Sequence, residues 1–89
     1  LLVEICDAVR QVWPAGKPLF VRISATDWVP GGWAPEDSRW LAGHLAEHGV
    51  DLVDVSSAAN TPAVPPVPLE QGYQVPLAEE VRASGAVLA

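Results

Sequence analysis

The sequence predicts an α/β fold with a parallel sheet, closed as a barrel rather than left open. Three observations carry this reading. Helix-period and strand-like segments alternate along the chain. Connections are short from helix to strand and long from strand to helix. Both predicted strands have one wholly apolar face and one face that turns polar toward its C-terminal end. Such alternation builds a parallel sheet covered by helices, and long loops after strands belong to barrels whose working end is the C-terminal one.

Each element has its own cause. In residues 1–13, Leu2, Ile5, Cys6, Val9, Val12 and Trp13 recur at steps of three and four, with Glu4, Asp7, Arg10 and Gln11 on the other face. That is an amphipathic helix, ended by Pro14 and Gly16. Pro18 to Ser24 is a short run rich in β-formers and predicts a strand, followed by the loop "ATDWVPGGW". Pro35 suits a first helical turn, Glu36 and Asp37 complement the positive end of the helix dipole, and Gly49 is the stop signal. Val50 to Ser57 predicts a second strand. The proline-studded segment 58–72, "AANTPAVPPVPLEQG", can hold neither helix nor central strand and is expected to be mobile. A third helix is expected from Val75 to Ala83, and "GAVLA" then begins another strand.

Alternation along the strands places Phe20, Arg22 and Ser24 on one face, and Leu52, Asp54 and Ser56 on the matching face of the next strand. Leu19, Val21, Ile23, Val53 and Val55 form the opposite, helix-facing side. Arg22, Asp54 and Ser56 then project into the barrel near its mouth. A guanidinium keeps its charge, so burying it unpaired is costly. Arg22 needs an anionic partner: Asp54 on the adjacent strand is one candidate, a bound anionic ligand another, and both can hold together.

Composition bounds the function. At 89 residues the chain is enough for one small domain, 1–89. A net charge of −6 with only five basic residues argues against a nucleic-acid surface. No apolar run reaches membrane-spanning length and no signal-peptide pattern appears. The single cysteine, Cys6, excludes an internal disulfide and fits a reducing compartment, so a cytoplasmic protein is expected. The chain holds no methionine, opens on an apolar helical pattern and stops inside the run "SGAVLA". Both ends are therefore expected to be truncations of a longer protein.

The stretches "PLFVRISATDWVPGGW", "GVDLVDVSS" and "GYQVP", in that order and after the helix "LLVEICDAVRQVWP", resemble signature stretches of the old yellow enzyme family. Within it they are most similar to the bacterial NADPH-dependent, FMN-binding ene-reductase branch, also called NADH:flavin oxidoreductases. The resemblance covers nearly the whole chain. It implies a (β/α)8 TIM barrel of which this chain holds about the fifth and sixth strands with their helices. It further implies FMN as cofactor, NAD(P)H as hydride donor, activated alkenes as substrates and a homo-oligomeric parent. Arg22 matches the family's strand arginine at the N1–C2 carbonyl edge of the flavin, where a fixed cation stabilises the negative charge of the reduced ring. Ser56 matches a position close to the flavin. The family's substrate-binding histidine or asparagine pair, its proton-donating tyrosine and its phosphate loop have no counterpart here, so no catalytic residue is assigned and the chain alone is expected to be inactive. Ala58 and Ala59 depart from the pattern, standing where relatives carry glycine, and Ala34 stands where a capping residue is common.

Competing readings accompany each feature. Ser56 and Ser57 can be strand-end hydroxyls that satisfy loop amides; with no G-x-S-x-G around them they are not nucleophiles. His44, Glu47 and His48 match the H-x-x-E-H pattern of inverted zinc peptidases, but they lie mid-helix, with Leu41 and Leu45 facing inward and no third ligand in view, so no metal site is assigned. Cys6 is expected in the core. Trp28 and Trp33 either line a substrate channel or pack their loop onto its neighbours, the latter being favoured. Trp40 reads as structural, and Trp13 as closing the first helix. Two alternative functions remain: another FMN barrel reductase of the dienoyl-CoA-reductase kind, and a non-catalytic α/β interaction module.

Overall fold

The computed structural model describes residues 1–58, 60–62, 67 and 69–89. Five elements follow in the order α1 (Leu2–Val12), β1 (Phe20–Ser24), α2 (Pro35–Glu47), β2 (Leu52–Ser56) and α3 (Val75–Arg82). This is the predicted alternation, with each element one to three residues shorter than expected at its ends. Segment 58–72 carries no helix or strand where it is described; residues 59, 63–66 and 68 lie outside the described set.

β1 and β2 pair in parallel with the register Phe20↔Leu52, Arg22↔Asp54 and Ser24↔Ser56 on one face and Val21↔Val53, Ile23↔Val55 on the other. Beyond them, Leu88 forms a parallel bridge to Leu52, with Val53 N–H donating to its carbonyl at 2.9 Å. The expected third strand therefore begins as a single bridge on the far side of β2, and the order along the sheet follows the order along the chain.

Local chemistry explains the helix ends. Trp13 is extended because it precedes Pro14, and α1 stops there. Ala34 offers no side-chain cap to α2; instead the Asp37 carboxylate accepts the Ala34 N–H at 2.9 Å, which is half of a capping box. At the other end Gly49 takes φ +85°. Its N–H donates to Ala46 and that of Val50 to Leu45, completing a Schellman motif. Leu45 and Val50, the apolar pair of that motif, both enter the core. Cys6, Ile23, Ala42, Val53, Val81 and Val87 fill the rest, all between the helices and one face of the sheet.

The other face is open. Phe20 is 60% exposed, and the Arg22 and Asp54 side chains are 71% and 62% exposed. Two strands and a bridge cover one side of the sheet only, and among the described residues nothing closes over Arg22.

Candidate functional site

The two ends of the sheet are built on opposite principles. At the N-terminal end the hydrogen bonding is satisfied around Arg10, a residue that sequence reasoning placed merely on a polar helix face. Its Nε and Nη2 donate to the Gly49 carbonyl at 2.9 and 2.6 Å. Nη1 donates to the Lys17 carbonyl at 2.8 Å, and Nη2 meets the Asp51 carboxylate at 2.8 Å. That same carboxylate accepts the Leu19 N–H at 2.8 Å. One guanidinium thereby ties α1, the entry to β1 and the entry to β2. A hollow of about 410 Å³ lies beside this clamp, lined by Ala15 to Pro18, Phe20, Leu52 and Leu88. Its one carboxylate, Asp51, is already engaged, and its one ammonium, Lys17, lies over the Trp13 ring at 4.9 Å.

The C-terminal end carries the unspent polar groups. Among the described residues, the buried side-chain polar atoms without a partner are Ser24 Oγ, Trp28 Nε1 and Ser57 Oγ, and all three follow or end a strand here. The non-glycine residues with positive φ, Trp28 at +60° and Ala58 at +106°, sit in the same two loops. Orphaned buried polar atoms are rare in native proteins, and strained backbone clusters where function requires it.

Arg22 projects from this end onto the open face. Its Nη2 donates to Ser56 Oγ at 3.1 Å, and its Nε lies 3.9 Å from Asp54 Oδ2. Nη1 has no hydrogen-bond partner among the described residues. The structure therefore brings Arg22 and Ser56 together, and joins Asp54 to them by strand register. Ser56 accepts from Arg22 rather than from a loop amide, and buried Ser57 finds no partner, so the reading of these serines as loop-amide acceptors is not what the structure holds.

The loop after β1 is pinned rather than loose. The Asp27 carboxylate accepts the Trp33 N–H at 2.9 Å and the Asn60 side-chain amide of the second loop at 3.2 Å. Trp33 Nε1 donates to Ser38 Oγ at 2.7 Å, which donates onward to the Ala25 carbonyl at 2.8 Å. Trp33 thus ties the loop to α2, rather than to a neighbouring loop as favoured, while Trp28 is half-buried with its indole nitrogen unspent. Trp13 closes α1 by donating to the Pro18 carbonyl at 3.0 Å.

The histidines of "HLAEH" are engaged on the outer side of the helices. His48 Nδ1 lies 2.7 Å from Asp7 of α1, and the His44 ring stacks on Trp40, which is 67% exposed. Cys6 is buried in the core, and burial followed by the neighbouring Asp7 charge pushes its thiol pKa up. Among the described residues no helix is long and apolar enough to cross a membrane.

An α/β unit with its unsatisfied groups at the C-terminal ends of parallel strands belongs to the class that builds sites from strand-following loops. Comparison with known proteins makes this specific. Proteins named NADPH dehydrogenase from Geobacillus sp. (strain WCH70) and Halalkalibacterium halodurans are 50% and 47% identical to it, over 97% and 98% of this chain and 26% of each relative. One of the same name from Listeria monocytogenes serotype 4a is 40% identical over 98% of the chain. The chain is thus a homologue of the NADPH dehydrogenases of the old yellow enzyme family, and it spans about a quarter of the length of the curated relatives it matches. No family model matches the chain.

Proposed function

We propose that the chain is the segment holding the fifth and sixth strands of a (β/α)8-barrel oxidoreductase that uses FMN and NAD(P)H to reduce C=C bonds activated by a carbonyl or nitro group. The observation that carries this reading is the gathering of Arg22, three orphaned polar atoms and two strained residues at the C-terminal end of a parallel sheet, in a chain whose relatives are named NADPH dehydrogenase.

The barrel accounts for what is left bare. α1 meets α2 along one flank through Asp7 and His48. Its other flank is a second apolar stripe of Leu1, Ile5, Ala8 and Val12, with Leu1 91% and Val12 84% exposed. A preceding strand–helix unit would cover that stripe, pair with the free edge of β1 and help enclose the open face.

The donor set fits a flavin. A guanidinium with one free edge matches the electron-rich carbonyl side of an isoalloxazine, and the unspent hydroxyl of Ser24 lies on the same face as Arg22. FMN, when bound, supplies two-electron transfer between the nicotinamide and the alkene. Arg22 holds a fixed positive charge beside it, at no cost of reorganisation during reaction. Ser56 fixes one Nη of that guanidinium. Phosphate binding, substrate polarisation and proton donation fall to parts of the protein outside this chain.

The test is made on the full-length protein. It should purify with, or take up, FMN with a visible flavin spectrum, bleach under NADPH without oxygen, and recover its colour on adding 2-cyclohexen-1-one. Failure to bind FMN, or a flavin that NADPH does not bleach, overturns the proposal.

A further inference from the structure

The geometry points to Asp54 as the positioning residue that aims Arg22 at the cofactor. The inference rests on the flavin reading and extends it to a residue that does not itself touch the flavin. Arg22 and Asp54 are register partners in the parallel β1–β2 pair and share one face of the sheet. The carboxylate faces the Nε side of the guanidinium at 3.9 Å and the Ser56 hydroxyl holds Nη2 at 3.1 Å. One hydrogen bond on Nη2 and a carboxylate within ion-pair range of Nε bias the fork so that the Nη1 edge is the one presented outward. An arginine side chain that is 71% exposed has many rotamers to choose from, so without Asp54 only a single hydroxyl restrains it.

This role and a bare-charge role differ in sign. A carboxylate that acts only through its own negative charge disfavours the anionic, reduced cofactor, and removing it raises the flavin midpoint potential. A carboxylate that positions Arg22 does the reverse, because its loss lets the stabilising cation drift away.

The experiment is a redox titration of the full-length FMN-loaded protein and its Arg22→Ala, Asp54→Asn, Asp54→Glu and double Arg22→Ala/Asp54→Asn variants. Arg22→Ala is expected to lower the potential; a tenfold loss of preference for the reduced cofactor reads as about 30 mV in a two-electron couple. Asp54→Asn, nearly isosteric, is expected to lower it by at least half as much, Asp54→Glu to return part of the loss, and the double variant to match Arg22→Ala alone. If Arg22→Ala lowers the potential while Asp54→Asn raises it or leaves it unchanged, the positioning role is overturned and the flavin reading stands. If Arg22→Ala itself changes nothing, Arg22 is no flavin ligand and the inference falls with that reading.

Discussion

Replacing Arg10 with alanine tests whether the N-terminal end of the sheet is a stability device. The side chain is 20% exposed and makes two short bonds to Gly49, one to Lys17 and an ion pair to Asp51. Truncation leaves the Gly49 carbonyl short of its donors in a half-buried setting. Asp51 keeps the Leu19 N–H, which limits the loss. Charge-assisted hydrogen bonds contribute about 1.5–3 kcal/mol each, and water recovers part of that where the group is exposed, so a cost of about 2–3 kcal/mol is expected. In a protein about four times the length of this chain, as the relatives are, this lowers Tm by roughly 5 °C. Arg10→Lys recovers little, because an ammonium cannot serve Gly49 and Lys17 together. Gly49→Ala should cost at least as much, since it takes a side chain to φ +85° and sets Cβ 2.9 Å from Arg10 Nε. Thermal unfolding of the full-length protein, followed by circular dichroism, reads both. A Tm within 1 °C of the parent for Arg10→Ala would refute the clamp.

Other expectations follow from the same structure. Ser38→Ala breaks the Trp33–Ser38–Ala25 relay at a fully buried site and should cost about 1–3 kcal/mol, with a change in tryptophan fluorescence; an unchanged denaturation midpoint would argue against the relay. Ala58→Gly removes a left-handed alanine at φ +106° and should stabilise by about 1 kcal/mol in urea denaturation; destabilisation would contradict the strain. The Cys6 thiol, raised above its ordinary value of 9.0 by burial, should resist thiol reagents at pH 8 until the protein unfolds. The unfolded chain loses that proton at lower pH than the folded one, so the contribution to stability is full below pH 9 and lost as pH rises through the folded value; rapid labelling of the native protein at pH 8 would contradict this. The 89 residues alone should unfold without a sharp transition, because β1 leaves an edge and a face uncovered; a cooperative melt from a dilute monomer would oppose it.

Much of this was legible in the sequence, for definite reasons. The 3.6 and 2.0 periods of α1, β1 and β2 fix which residues face the helices, and strand register then brings Arg22, Asp54 and Ser56 together without further information. Pro14, Pro35 and Gly49 mark their helix ends because each acts through its own backbone. Arg10 was not legible as a clamp, since its partners Gly49 and Asp51 lie some forty residues away and two of the accepted bonds use a backbone carbonyl. The one available signal was a glycine followed closely by an aspartate just before a strand. Asp27 joins two loops that no periodicity connects. The positive φ of Trp28 breaks local preference, so no local rule finds it. Ala58 was legible only as an alanine in a glycine position.

The central claim is that Arg22 binds the flavin, and FMN affinity tests it most directly. The full-length apoprotein and its Arg22→Ala and Arg22→Lys variants are titrated with FMN, reading flavin fluorescence. Loss of one charge-assisted contact of about 1.5–3 kcal/mol predicts a Kd roughly 10- to 150-fold weaker for Arg22→Ala, with Arg22→Lys between it and the parent. An Arg22→Ala protein that binds FMN as tightly as the parent would contradict the account, leaving Arg22 as the structural partner of Asp54.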